Sequence, residues 1–233
     1  LSDHGPATAV KVHEPKKTKP LSDKATAPMK EPARIKKPAN RLYQFKITLL
    51  EARPPIWRRI QVKDCTLDKL HEHIQTAMGW TNSHLHHFRI NDQLYGDPLL
   101  MQENFEDMGY EDSTSTKLSD ILPKTGKRFR FKYEYDFGDG WRHDVLFEGC
   151  VRAERGKRYP VCIEGARACP PEDVGGTSGY EEFVEAMANP HHERHEEFSE
   201  WIGARFDPEG FDSAKATKRM WRGLPDWRSE RWI

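Results

Sequence analysis

From Arg41 the chain alternates. Tyr43, Phe45, Ile47 and Leu49 share one side of an extended segment, and Gln44, Lys46 and Thr48 share the other. This period of two is the signature of a strand packed on one face. Pro54-Pro55 interrupts it, and Ile56 to Val62 reads as a second strand, which predicts a hairpin with a longer loop. Thr66 stands as an N-cap ahead of Leu67, Leu70, Ile74, Ala77 and Met78 at helical spacing, and Gly79 stops the helix. His84 to Ile90 predicts a third strand that turns at Asn91-Asp92 into Gln93-Leu94-Tyr95. Residues 101–117 are acidic and polar and read as a loop, and Lys117 to Leu122 as a short helical turn before Pro123. The strongest alternation follows, with Phe129, Phe131, Tyr133, Tyr135 and Phe137 on one face and Arg128, Arg130, Lys132 and Glu134 on the other. Gly138-Asp139-Gly140 supplies the turn, and Trp141, His143, Val145 and Phe147 continue on a return strand. A Gly/Pro-rich loop is expected from Gly149 to Gly179. Tyr180, Phe183, Val184 and Met187 then mark a helix ended by Asn189-Pro190, and Phe198, Trp201 and Ile202 another ended by Gly203.

This order predicts an α+β fold, one mixed sheet packed by helices. Over residues 42–137 it resembles the β-grasp (ubiquitin-like) arrangement, with the return strand and the C-terminal helices as additions. Charge then refines the boundaries. The 233 residues carry 37 Lys+Arg and 37 Asp+Glu, but residues 1–40 have a net charge of +5, residues 214–233 of +4 and the body between them of −9. Residues 1–40 repeat proline among lysines with almost no large apolar side chain, so they are expected to form a disordered basic arm. Residues 41–212 form the domain, and 213–233 a basic tail whose Trp221, Trp227 and Trp232 are expected to dock on the body or on a partner. No apolar run long enough to span a membrane is present, and Leu1-Ser2-Asp3-His4 does not read as a signal peptide. Cys65, Cys150, Cys162 and Cys169 are too few for a disulfide scaffold at this length, which points to reduced thiols in the cytoplasm.

The segment Tyr135-Asp136-Phe137-Gly138-Asp139-Gly140-Trp141-Arg142-His143, followed by Cys162-Ile163-Glu164-Gly165, Ala168-Cys169-Pro170-Pro171-Glu172-Asp173-Val174-Gly175-Gly176 and Gly179-Tyr180, resembles the plasmid pRiA4b ORF-3-like family. Ile56-Trp57-Arg58-Arg59 and the stretch from Trp201-Ile202-Gly203 to Phe206-Asp207-Pro208-Glu209 are similar to it as well, so the resemblance spans about 42–212. It implies a plasmid or mobile-element association and no defined chemistry. Some members carry a transposon resolvase label, but Ser2, Ser22 and Ser83 lack the arginine setting of a resolvase nucleophile. His86-x-x-Arg89 and His191-x-x-Arg194 are fragments too short to define a tyrosine recombinase.

Acid–base candidates gather around one hairpin and the loop after it: Asp136, Asp139, Trp141, His143, Glu172 and Asp173 form the candidate pocket. Cys162 and Cys169, with His143 as a third ligand, form the candidate metal set, and zinc is the ion that such ligands take. The structural alternative is a core histidine and small thiols stiffening a loop. Asp136-Phe137-Gly138 copies a kinase triplet without its companion motifs and reads as a turn. Arg128, Arg130 and Lys132 form a basic stripe suited to phosphates, or to protecting a sheet edge. Two functional classes follow. The first is a non-catalytic binding module for protein or nucleic acid, engaged electrostatically through the basic ends. The alternative is a small metal-dependent hydrolase using the 135–143 hairpin and the 162–179 loop.

Overall fold

The alternation read from Tyr43 to Leu49 buries these four side chains in strand β1 (Arg41–Leu49) of a computed structural model that describes Leu1, Gly5 and residues 40–105 and 109–224. The chain divides into Leu1–Lys37 and Pro38–Ile233, and the fold described is that of the second unit. Apart from Leu1, Gly5 and Asn40, the expected arm at 1–40 lies outside the described residues, as does the end of the tail at 225–233.

β1 pairs antiparallel with β2 (Trp57–Val62), as the hairpin pattern requires. Helix α1 (Leu67–Met78) starts where the Thr66 hydroxyl accepts from the Lys69 N–H at 3.2 Å and stops at Gly79, whose φ of 118° needs no Cβ. β3 (His86–Ile90) and β4 (Gln93–Gly96) form the second hairpin. Two elements interrupt the expected loop at 101–117: α2 (Pro98–Phe105) and β5 (Glu111–Asp112), which pairs parallel with β4. The Asp97 carboxylate accepts from the Leu99 N–H at 3.0 Å, and Pro98 opens the helix without an unmet donor. After the short α3 (Leu118–Ile121) come β6 (Phe129–Tyr135) and β7 (Trp141–Arg152).

The expected loop at 149–179 also contains a strand, β8 (Val161–Ala166), paired with β2. A bulge opposite Arg59/Ile60 disrupts its alternation, so the period of two was not legible there. α4 (Gly176–Ala188) and α5 (His195–Ile202) follow as expected, and the start of the basic tail is a helix, α6 (Ser213–Arg222). Asp212 caps α6 by accepting from Ala214 N–H at 2.8 Å and Lys215 N–H at 2.9 Å. Ala216, Thr217 and Met220 face inward.

The single mixed sheet has eight strands in the order β5-β4-β3-β6-β7-β1-β2-β8. The return strand β7 lies inside the sheet, between β6 and β1. Both neighbours run antiparallel to it and therefore parallel to each other. One core joins Phe45, Tyr133 and Phe147 of the sheet to Leu70 and Ile74 of α1 and to Phe183, Phe198 and Met220 of the C-terminal helices. No helix among the described residues is long and apolar enough to cross a membrane.

Candidate functional site

The β6–β7 hairpin and the loop before α4 are tied together at three places. At the first, Glu172 accepts from the Tyr135 hydroxyl, from the Thr81 hydroxyl and from the Thr81 N–H at 3.3 Å. Desolvation and this carboxylate hold the Tyr135 phenol well above its ordinary range, so it remains a donor. At the second, His84 Nε2 lies 2.9 Å from Asp173 Oδ1 and 3.5 Å from Asp136 Oδ2. Both aspartates adopt positive φ, 57° at Asp136 and 61° at Asp173. Asp136 also shapes the turn, accepting from Gly138 N–H at 3.0 Å and Asp139 N–H at 3.3 Å. At the third, the Asp139 carboxylate accepts from the Gly175 N–H at 3.2 Å, where the start of α4 favours negative charge. A Cβ on Gly176 would come within 2.5 Å of the Asp139 carbonyl oxygen, so glycine allows the loop to close on the turn.

Trp141 and His143 lie beneath this junction rather than in it. His143 is fully buried, with Trp80 and Tyr133 rings at 5.4 and 5.2 Å. Burial pushes its pKa down to about 3, so it is neutral at pH 7. Trp141 is 5.9 Å from Trp80, whose Nε1 donates to the Pro170 carbonyl at 3.0 Å. Trp80 thus joins the hairpin's aromatic layer to the loop.

Among the described residues, the ligand atoms that come together are those of His84, Asp136 and Asp173, all within 4.8 Å of one another. Cys162 and Cys169 do not join His143 in such a group. β1 and β2 separate β7, which carries His143, from β8, which carries Cys162. At the usual strand spacing that is about 14 Å, far beyond the reach of one ion. The Cys162 Sγ lies 3.6 Å from the Glu164 carbonyl. Desolvation pushes the Cys169 thiol up to about 12, which keeps it protonated.

The basic stripe is divided. Arg130 and Lys132 both pair with Asp144, Lys132 at 3.1 Å, while Arg128 is exposed. β6 is an interior strand, so these cations do not guard an edge. The β8 edge is covered by α6 instead: the Thr217 hydroxyl accepts from the Cys162 N–H at 3.0 Å and donates to its carbonyl at 3.1 Å.

Behind the loop, between the end of α1 and the C-terminal helices, is an open cleft of about 550 Å³. Of the six pocket residues expected from sequence, only Glu172 lines it. Its walls include Arg58, Trp80, Cys169, Phe211, Lys215 and Arg219. The sequence reading passed over Arg58, which occupies an inward-facing position between Ile56 and Ile60 where the strand pattern calls for an apolar residue.

An eight-stranded mixed sheet with helices packed around its hairpin–loop junction defines the class of this protein. Residues 41–215 match the plasmid pRiA4b ORF-3-like protein family, and the chain belongs to that family. It is 44% identical over 174 residues to the uncharacterized protein y4hQ of Sinorhizobium fredii, covering 74% of this chain and 84% of that one. It is also similar to the crystal structure of MM3350, a protein of unknown function from Methanosarcina mazei. That match has a TM-score of 0.65 and 36% identity, and covers 75% of this chain and 97% of the other.

Proposed function

We propose that this protein is a non-catalytic binding module that engages an anionic surface of a nucleic acid or a protein through the basic face of α6. The observation that carries this reading is a contrast between charges. On the outer face of the sheet several cations are paired: Arg59 with Glu148 and Glu164, Arg130 and Lys132 with Asp144, Arg142 with Glu51, while Lys46 lies 4.4 Å over the Trp57 ring. On α6, Lys218 and Arg222 stand one turn apart on the exposed side, and Lys215 and Arg219 line the cleft beside them. Among the described residues none of them has an ion-pair partner. Arg158 adds a further cation beside this helix, stacked 5.0 Å over Trp221, whose Nε1 donates to the Pro160 carbonyl at 2.7 Å. The sequence continues with Arg228 and Arg231.

The contact is electrostatic and indifferent to base sequence, because cations on a helix face neutralise phosphates or carboxylates without reading base edges. The family's plasmid name supports a place in plasmid or mobile-element biology, and free cysteines support a cytoplasmic setting. We read the sheet as a β-grasp core with β7 inserted, a reading supported by the parallel course of β1 and β6.

Fluorescence anisotropy with a labelled single-stranded oligonucleotide and a labelled polyglutamate peptide, at low and physiological salt, tests the function. Binding that weakens steeply with salt is expected, roughly micromolar or weaker at physiological salt. Retention of the peptide alone would assign a protein partner. Absence of both interactions at low salt would overturn the reading.

A further inference from the structure

Arg58 is the most unusual side chain of the cleft. It is only 2% exposed and has no ion pair among the described residues. Its Nε donates to the Ala77 carbonyl at 3.1 Å, and its Nη1 to the Trp57 and Ala166 carbonyls at 2.8 and 2.9 Å. These bonds fix the guanidinium in place but supply no negative charge, and Nη2 has no hydrogen bond among the described residues. The centre of the Phe211 ring lies 4.3 Å from the guanidinium carbon. Gly165 makes this stacking possible, since a Cβ there would come within 2.7 Å of the Phe211 ring.

A second guanidinium lines the same cleft. Arg219 donates from Nε to the Thr76 carbonyl at 3.0 Å and also lacks an ion pair among the described residues. Burial lowers the pKa of Arg58, and the nearby Arg219 charge adds to that lowering. Lys215 stands exposed on the same wall. The cleft's carboxylates keep their charge but are turned to other donors, Glu172 to Tyr135 and Thr81 and Asp212 to the first turn of α6, so the three cations Arg58, Lys215 and Arg219 leave the lining with a net positive charge. A buried charge without a counter-charge is costly. Arg58, buried in this way, and the half-buried Arg219 face one open space and make it attractive to an anion. Trp80, Phe206 and Phe211 supply an aromatic lining beside them.

We propose that this cleft binds a small molecule consisting of a carboxylate or phosphate head on an aromatic body. Arg58 and Arg219 hold the head, Lys215 screens it at the rim, and the aromatic walls take the ring. This site is distinct from the outer face of α6, where Lys218 and Arg222 lie outside the cleft.

Isothermal titration calorimetry of the full chain tests the proposal. The probes are phenyl phosphate and phenylacetate, with benzyl alcohol as the neutral control and inorganic phosphate as the bare anion. One aryl anion or both should bind with a stoichiometry of one, more tightly than either control, and the stronger of the two identifies the head group. Arg219→Gln and Arg58→Met should each weaken binding about tenfold or more, as expected for loss of a charge-assisted contact. Lys218→Ala and Arg222→Ala should leave it unchanged. If Arg58→Met fails to fold, Arg219→Gln and Lys215→Ala carry the test. Benzyl alcohol binding as well as the anions would overturn the proposal. So would heats from neither aryl anion at about 10 mM, or binding lost in Lys218→Ala and Arg222→Ala but kept in Arg219→Gln.

Discussion

Individual residues show how this protein uses polar groups in its core. His143, His73 and His87 are buried as neutral rings, and desolvation pushes their pKa values down to about 3, 4 and 4. In the unfolded chain each titrates near 6.5, so between their folded values and 6.5 the unfolded state binds more protons. Stability is therefore full above pH 6.5 and falls as pH drops through this window. From pH 7 to 5.5 we expect a loss of about 1 kcal/mol per histidine, and His143→Phe should remove its share of the slope. Urea titrations at the two pH values check this, and an unchanged slope in His143→Phe would refute the assignment. At Gly176, φ is 68° and the Asp139 carbonyl occupies the place of a Cβ. Gly176→Ala should destabilise the fold by about 2 kcal/mol, read as a lower urea midpoint. Wild-type stability in that variant would show that the loop does not close on the turn as described.

Legibility differs from element to element for physical reasons. β1, β2, α1, β6 and β7 each bury one side against a common core, so their periodicity was plain from sequence. β8 was not legible, because its bulge breaks the period and it lies at the end of the sheet under α6. α2 is short and set in an acidic stretch, while α6 buries mainly Ala216, Thr217 and Met220, a pattern masked by its cations. The same logic applies to the site. The hairpin and the loop were found because their acids and glycines cluster in sequence, and the structure joins them through Glu172, Asp173 and Gly175. His84, in the bend before β3, and Arg58, on β2, are distant from that loop in sequence, and nothing local marked them as its partners. The dependence of β8 on α6 gives a prediction at this scale. Thr217→Val removes the hydroxyl that satisfies both backbone groups of Cys162, and should cost about 1–3 kcal/mol. The uncovered edge should also raise the rate of aggregation on heating, followed by light scattering. A variant as stable and soluble as the parent would show that α6 is not needed to cap the sheet.

At the scale of the whole molecule, opposite charges are segregated along the chain. An acidic body stands between a basic N-terminal segment and a basic C-terminal one. Among the described residues the hydrophobic core runs from Tyr43 to Met220. Deleting residues 1–37 is therefore expected to leave the thermal midpoint within a few degrees, and a large drop would contradict a core complete without them. In the proposed function, the α6 cations that have no ion pair among the described residues are the groups that engage an anionic partner. The most direct measurement is the salt dependence of oligonucleotide and polyglutamate binding, compared between the parent and Lys218→Ala/Arg222→Ala. The account predicts binding in the parent and, for the oligonucleotide, a shallower slope of log K against log salt in the variant, by about one for each cation that contacts phosphate. Equal affinities and slopes in parent and variant, for both ligands, would contradict it.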